Sequence, residues 1–304
     1  MADGSRTIEL EARAAAADAA AEAKAEVLDR AVTVESAESL PRSPAKKSRF
    51  RSKKDWAEFT VNVWITNLNS VEFGIYKHSR NRAKSRQFTT DMDVFAEITE
   101  NGERTGLLAY REDLWRKNKG MDKRLVFKLF NETVNWRATM DLMIGRSLQL
   151  TLGARGLPVT CYAVNISGYD AVTYVERSAN KWPFMPEYFS FFMLDDGKPR
   201  FYVLRRDLIN LGGDYTLYDE RNEKVGRLDG KVFSIGGKWY GRVAPEHADS
   251  RLLQVLQLFC GMLIFNDEAN RLMRTLAREM IAGRYSPKLE KQEADLYMNP
   301  RRVR

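Results

Sequence analysis

Two basic runs contain the residues of this sequence with the clearest potential for binding chemistry. The first has no acidic residue before Asp55, and the second, KHSRNRAKSR at 77–86, has none at all. Ammonium and guanidinium groups bind phosphate, so both runs are candidate contacts for an anion or a lipid headgroup. A solvated linker and a charged loop are the alternative interpretations. The candidate contact residues are Lys46, Lys47, Arg49, Arg51, Lys53, Lys54, Arg80, Arg82, Lys84 and Arg86.

Catalytic chemistry has no comparable signal. Residues 226–231 (GRLDGK) lack the length and the final Ser or Thr of a phosphate-binding loop, so they are interpreted as a hairpin turn. Asp195 and Asp196 precede Gly197 and predict another turn. His247 stands beside Glu246 with no associated nucleophile. We therefore predict no catalytic residue, no cofactor and no metal site, and hence a protein that is not an enzyme.

Bulk composition favours an acidic partner and a reducing compartment. The 304 residues carry a net charge of +8, which suits nucleic acid, an anionic membrane or an acidic protein. Cys161 and Cys260 lie in apolar runs and predict buried free thiols. Acidic residues near the N-terminus disfavour a secretory signal. The expected location is cytoplasmic, with a peripheral position at a membrane as a further expectation.

Composition divides the chain into four parts. Residues 1–45 are an Ala-rich tail, helical or disordered, and residues 46–55 are a basic linker. Residues 56–283 form the folded domain, and residues 284–304 are a polar basic tail.

Alternation of apolar and polar residues predicts a mainly β (α+β) fold. In residues 58–66, Phe59, Val61 and Val63 alternate with polar neighbours, as in a half-buried strand. From Val159 onward, short apolar runs separated by Gly and Asp turns recur at the spacing of an antiparallel barrel or sandwich. The aromatic residues at 182–192 are interpreted as core, not as a stacking platform. Residues 107–157 suit either helix or strand.

A helix is expected near the C-terminus of this mainly β chain. Residues 252–265 form an apolar run of 14 residues, about 21 Å as a helix, against a hydrocarbon core of about 30 Å. We therefore predict no transmembrane span but a helix buried inside a barrel or curved sheet. An amphipathic helix follows over 269–281 and ends at Gly283. The predicted buried residues are Leu252, Leu253, Val255, Leu256, Phe259, Leu263 and Ile264.

The segment Tyr202–Val243 resembles the repeating hairpins of the tubby-like superfamily, in particular its phospholipid scramblase and LURP-one-related branch. In that branch a strand with the pattern y.l.d..g..vG.l.gk is followed by a further pair and then by a hydrophobic C-terminal helix. Here Tyr215–Asp219, Val225-Gly226, Gly230-Lys231 and residues 252–265 stand in those places.

The resemblance is clearest over residues 188–267 and implies a closed antiparallel tubby-like barrel wrapped around the C-terminal helix. It also implies binding of membrane phosphoinositide or other lipid, or tethering of a partner, without agreed catalytic residues. No lipid-contacting position of the family can be assigned to a particular residue here.

Three functions are therefore carried forward. The leading expectation is a non-enzymatic binding protein for anionic membrane lipid with phosphoinositide-like headgroups, or for a partner tethered at a membrane. The first alternative is a structural or assembly protein that docks on other protein chains through its N-terminal helix and barrel surface. The second is a nucleic-acid-binding protein that uses the basic runs.

Overall fold

Along the strands of this chain, buried residues tend to alternate with exposed or half-buried ones. A computed structural model describes residues 56–63, 92–179, 186–195, 197–207, 213–231 and 237–284. On the first strand Phe59, Val61 and Val63 are buried and the residues between them are not. Over the described ranges the strands are β1 (Ala57–Val63), β2 (Asp93–Glu100), β3 (Glu103–Tyr110), β4 (Val126–Asn131), β5 (Trp136–Leu142), β6 (Cys161–Ile166), β7 (Thr173–Arg177), β8 (Tyr188–Asp195), β9 (Lys198–Arg206), β10 (Tyr215–Asp219), β11 (Lys224–Lys231) and β12 (Lys238–Val243).

These strands form a closed antiparallel barrel, as predicted. Each strand pairs with the next along the chain, and β12 pairs with β1 from Ala57↔Val243 to Asn62↔Lys238. Closure pairs the two strands that would otherwise be sheet edges. The alternating side chains therefore define one enclosed core and one outer face.

Two turns have the backbone geometry that their own residues favour. Asn101 and Gly102 join β2 to β3 with φ values of 53° and 84°, the left-handed pair that a tight type I′ connection requires. Gly197, with φ 77°, precedes β9 at the turn after β8. Both turns lie at the end of the barrel that we call the entry end, because the C-terminal helix begins there.

That helix fills the barrel. The helices of the described chain are α1 (Glu112–Arg116), α2 (Ile144–Gly153) and α3 (Ser250–Ile281), with 3-10 turns at Gly120–Asp122 and Pro245–His247. By length and composition α3 could cross a membrane, but 72% of its most apolar 18-residue window is buried inside the protein. The ring of Phe259 lies 4.9 Å from that of Phe189 and 5.3 Å from that of Tyr215.

The prediction of a short central helix over 252–265, followed by a separate amphipathic helix, was wrong. α3 is one continuous helix of 32 residues. The polar segment that suggested an interruption begins at Asn266, which is buried and donates a hydrogen bond to Glu187 at 3.1 Å. A tertiary partner therefore accepts a hydrogen bond from a side chain whose polarity predicts a helix end, while the Asn266 Oδ1 atom has no partner among the described residues.

Burial along α3 also corrects one predicted core residue. Leu252, Val255, Leu256 and Phe259 are buried, and Leu253 and Leu263 are partly buried. Ile264 is 40% exposed, because it lies on the side of the helix turned away from the barrel core. The helix ends as predicted: the Gly283 N–H donates to Met280 and the Arg284 N–H to Glu279, a Schellman motif.

The segment 226–231 is strand rather than a hairpin turn. Asp229 pairs with Tyr240 and Gly230 with Trp239 inside the β11–β12 ladder. The Gly230 N–H also donates to Asp214 at 2.9 Å. The Asp-Gly pair thus finds partners on neighbouring strands, and these cannot be identified from the local sequence.

Residues 107–157, which sequence patterns leave open, contain both element types. Leu107, Leu108 and Tyr110 belong to β3, not to a helix face. The run LVFKLF contains β4, as its pattern suggests. The predictions for residues 1–55 and 285–304 lie outside the described residues.

Other core predictions are confirmed in part, and Trp182 and Phe184 of the aromatic set lie outside the described residues. Cys161 and Cys260 are free and buried. Phe189 and Phe191 point into the core, whereas Phe192 is 40% exposed on the outer face.

Candidate functional site

The predicted anion-contact residues do not fall within the described chain. Lys46, Lys47, Arg49, Arg51, Lys53 and Lys54 precede Trp56, and Arg80, Arg82, Lys84 and Arg86 lie between β1 and β2. The structure therefore does not show whether they come together. The candidate site is built from the described surface next to the first run.

A groove of about 560 Å³ runs over the outer face of β1, β2, β11 and β12, and we call it the outer groove. Barrel alternation explains its composition, since residues between inward-facing side chains point outward. Its lining is mixed in charge. Arg227, Lys238 and Arg242 supply three cations, Glu58 and Asp229 supply two carboxylates, and Thr60, Thr99 and Tyr240 supply hydroxyls.

Gly241 fixes which side chains of β12 line the outer groove. A Cβ on Gly241 would lie 2.1 Å from the ring of Phe59, so only glycine allows that ring to enter the core at this register. Its neighbours Tyr240 and Arg242 consequently face outward. The Lys238 ammonium lies 5.0 Å from the centre of the Tyr240 ring, and the Arg242 guanidinium lies 5.9 Å from that of Trp56.

The cations of the outer groove differ in their partners. Arg227 lies 2.7 Å from Asp214 and 3.6 Å from Asp229, so carboxylates already meet its charge. Burial, together with a hydrogen bond and the negative charge of Asp214, raises the pKa of Asp229. Within the described residues, Lys238 and Arg242 form no salt bridge.

Chain connectivity joins this groove to the first basic run. Trp56, next to Arg242, follows Lys54 by two positions and Lys53 by three. A span of three residues cannot exceed about 10 Å. Lys53 and Lys54 are thus separated from Trp56, a residue beside Arg242, by no more than that length of chain.

A second opening lies at the entry end, between the first turns of α3 and the ends of β2–β5. This mouth pocket has a volume of about 380 Å³, and Glu100, Glu103, Gln254 and Gln257 are among its lining residues. Sequence patterns do not reveal it, because the two glutamines stand out only as polar members of an apolar helix. Their shared direction depends on the packing of α3 inside the barrel.

At the far end, opposite the entry end, Glu187 forms a buried hydrogen-bond cluster with Arg177, Tyr215 and Asn266. The Arg177 guanidinium donates to Glu187, as do the Tyr215 hydroxyl at 2.7 Å and the Asn266 amide at 3.1 Å. Burial alone would raise the pKa of Glu187, but the charge of Arg177 and the three donors outweigh it and lower the pKa. We call these four residues the Glu187 cluster.

The two cysteines and His247 lie in surroundings that do not favour catalysis. Burial raises the pKa of the Cys161 and Cys260 thiols, which keeps them protonated and poorly nucleophilic at neutral pH. His247 lies in a 3-10 turn with its Nδ1 atom 3.2 Å from the Tyr202 hydroxyl. In the described parts of the chain, no group of three or more His, Cys, Asp or Glu residues could hold a metal ion.

Comparisons with known proteins do not supply a family. No family model, no curated protein and no solved structure matches this chain. A functional proposal must therefore rest on the barrel, its enclosed helix and the two openings described above.

Proposed function

We propose that this protein is a non-enzymatic, tubby-like barrel that binds the anionic headgroups of a membrane surface from the cytoplasm. The observation that carries the proposal is the outer groove, where Lys238 and Arg242 are in no described salt bridge and Arg242 contacts Trp56, the residue that follows the basic linker in sequence. The enclosed helix supports the family resemblance, since that resemblance implies a barrel closed around the C-terminal helix.

The charge arrangement suits a headgroup that carries phosphate. Each Lys or Arg near an anionic membrane contributes about 1 kcal/mol to binding. Lys238 and Arg242 would act together with the six cations of residues 46–54. The Thr60 and Thr99 hydroxyls, which line the same groove, can donate hydrogen bonds to phosphate or inositol oxygens.

Vesicle flotation of the full chain tests this proposal. The test variant is Lys238→Gln combined with Arg242→Gln, which removes the two groove cations that form no described salt bridge and leaves Arg227 with its aspartates. The matched control is Arg271→Gln with Arg274→Gln, an equal loss of charge at exposed positions of α3. Both are compared with the unchanged chain on phosphatidylcholine vesicles with and without phosphoinositide.

We expect flotation only with phosphoinositide vesicles, weakened by the groove variant and by salt but not by the control. About 2 kcal/mol lost from two contacts corresponds to a roughly thirtyfold weaker interaction. Equal weakening by both double variants would show that net charge, not the groove, is responsible. No flotation of the unchanged chain would exclude the membrane proposal.

A second function, assembly on another protein, is favoured by one exposed aromatic pair. Phe192 and Phe201 are 40% and 52% exposed, and their rings lie 5.8 Å apart on the outer face of β8 and β9. Exposed aromatic residues are typical anchors of protein interfaces. If assembly is the function, replacing both with Ser should abolish capture of a partner, and removing residues 1–45 should do the same. Retained assembly in both cases would exclude this alternative.

The same protein preparations can be tested for DNA binding, which distinguishes the nucleic-acid alternative from the membrane proposal. Binding to duplex DNA should weaken steeply with salt, by about 0.9 in the log–log slope for each phosphate contact. Absence of DNA binding at low salt, alongside vesicle flotation, would leave the membrane proposal alone.

A further inference from the structure

The outer groove holds a carboxylate between two of its cations. In the β11–β12 ladder Asp229 lies directly opposite Tyr240, and both residues line the groove. Lys238 and Arg242 stand two positions to either side of Tyr240 on β12 and line the same groove. A ligand that meets both cations therefore lies next to the Asp229 carboxylate.

The two cations are directed to different parts of the groove. The Lys238 ammonium lies 5.0 Å from the centre of the Tyr240 ring. The Arg242 guanidinium is directed towards Trp56, which precedes the first residue of β1, and hence away from Lys238. The ligand must consequently extend across the strip of surface between them, and the chemistry of that strip determines which ligands fit.

That strip is a single row of side chains across four strands. In register, Thr99 of β2 faces Thr60 of β1, Thr60 faces Tyr240 of β12, and Tyr240 faces Asp229 of β11. The row contains three hydroxyls and a carboxylate but no cation, and we call it the polar row. Hydroxyls can donate or accept hydrogen bonds, whereas an ionised carboxylate can only accept.

Asp229 presents its carboxylate to the groove. Its side chain is 59% exposed, and the Arg227 guanidinium lies 3.6 Å away, beyond hydrogen-bond distance. Arg227 donates instead to Asp214 at 2.7 Å. An anionic oxygen brought to this position is repelled by the carboxylate, whereas a hydroxyl can donate to it.

We propose that the outer groove selects a cyclic polyol that carries a phosphate, and that Asp229 is the residue that determines this selection. The phosphate contacts Lys238 or Arg242, and neighbouring ring hydroxyls donate to the two oxygens of Asp229. Inositol lipids carry such a headgroup in membranes, and inositol or sugar phosphates carry it in solution. The inference rests on the proposed function only in placing the anion in the outer groove.

Flotation of the full chain on two kinds of vesicle with equal charge tests the selection. Phosphatidylcholine vesicles contain either phosphatidylinositol or phosphatidylmethanol, each with one phosphodiester charge, and only the first has ring hydroxyls. We expect at least about tenfold tighter binding to phosphatidylinositol, the effect of hydrogen bonds to a charged group. Flotation without this preference would overturn the selection by Asp229 and leave the membrane proposal in place.

A matched pair of substitutions assigns the preference to one carboxylate. Asp229→Val removes the acceptor from the polar row, whereas Glu58→Val removes an exposed groove carboxylate that lies opposite Arg242 and outside that row. Asp229→Val should bind both vesicles equally, an about tenfold loss of preference. Glu58→Val should change binding to both vesicles by the same factor and keep the preference. Equal effects of the two variants on the preference would mean that Asp229 acts only through its charge, which would overturn the proposal.

Thermal melting of both variants checks that the fold is kept, since each replaces an exposed strand residue with a strand former. Calorimetry with soluble inositol 1-phosphate and methyl phosphate then separates the two sources of the ligand. If the chain does not float but binds inositol 1-phosphate in an Asp229-dependent way, the groove takes a free polyol phosphate and only the membrane proposal fails. Neither flotation nor preference for inositol 1-phosphate over methyl phosphate would overturn both proposals.

Discussion

The two ends of the barrel differ in how the polar side chains of the enclosed helix α3 are hydrogen-bonded. At the far end, the Glu187 cluster gives one carboxylate three donors from β7, β10 and α3. At the entry end, Gln254 of the same helix keeps an acceptor without a partner beside an open pocket. Glu187 therefore ties α3 to β7 and β10 at the far end, although the Asn266 Oδ1 atom has no partner among the described residues. At the entry end, by contrast, no carboxylate of the described chain holds Gln254 in the same way.

The largest loss of stability is expected from substitutions in the core between the two ends of the barrel. Phe259→Asp or Leu256→Asp should prevent folding, because each places an unpaired charge among fully buried side chains. Circular dichroism should show no cooperative melting. Ile264→Asp, on the exposed side of the same helix, should melt close to the unchanged chain. Cooperative, near-native melting of Phe259→Asp would mean that the enclosed helix is not central to stability.

The second-largest loss of stability is expected from a substitution that disrupts only the Glu187 cluster at the far end. Glu187→Gln leaves Arg177 buried without its counter-charge, and we expect a loss of about 3 kcal/mol in the free energy of unfolding by urea denaturation. Glu103→Gln, an exposed carboxylate at the entry end, should change it by less than about 0.5 kcal/mol. Equal effects of the two substitutions would contradict the difference between the ends.

Acid should reproduce part of the Glu187→Gln effect. The pKa of Glu187 is lowered in the folded state, so the unfolded state binds its proton more tightly. Its stabilising contribution is complete above the unfolded pKa of about 4.3 and is lost as the pH falls through the folded pKa. The free energy of unfolding, measured by urea denaturation at a series of pH values from about 3 to about 6, should therefore depend less steeply on pH for Glu187→Gln than for the unchanged chain. Parallel pH profiles would mean that Glu187 titrates as it does in the unfolded chain.

The smallest expected change in stability is a gain, and it comes from a substitution at the entry end. Gln254→Met should stabilise the protein by about 1 kcal/mol, because it replaces an unsatisfied buried amide with an apolar side chain of similar size. Thermal melting without ligand measures this. A clear loss of stability would show that Gln254 is satisfied within the protein and that the two ends are alike.

Some features follow from local sequence because their causes are local. Alternation over β1, the Asn101-Gly102 turn and the Gly283 helix end each depend on residues close in the chain. The enclosed helix follows from its composition, since a helix that is apolar nearly all round needs protein on every side.

Features that depend on distant partners could not be predicted in the same way. Asn266 suggests a helix end until Glu187 is placed beside it, and Asp229-Gly230 suggests a turn until Asp214 accepts the Gly230 N–H. In both cases a polar group that should face water meets a partner on another element. The mouth pocket and the outer groove likewise depend on strands far apart in the chain.

The sequence by itself determined that this chain builds an antiparallel β structure around an apolar helix, because periodicity and turn chemistry act over a few residues. Only the tertiary structure decided that β1 pairs with β12, that α3 continues to Ile281, and that Gln254 faces a pocket while Asn266 meets Glu187. Pairing between distant segments and the rotation of a helix inside a barrel are set by packing of the whole core, which no short window of sequence contains.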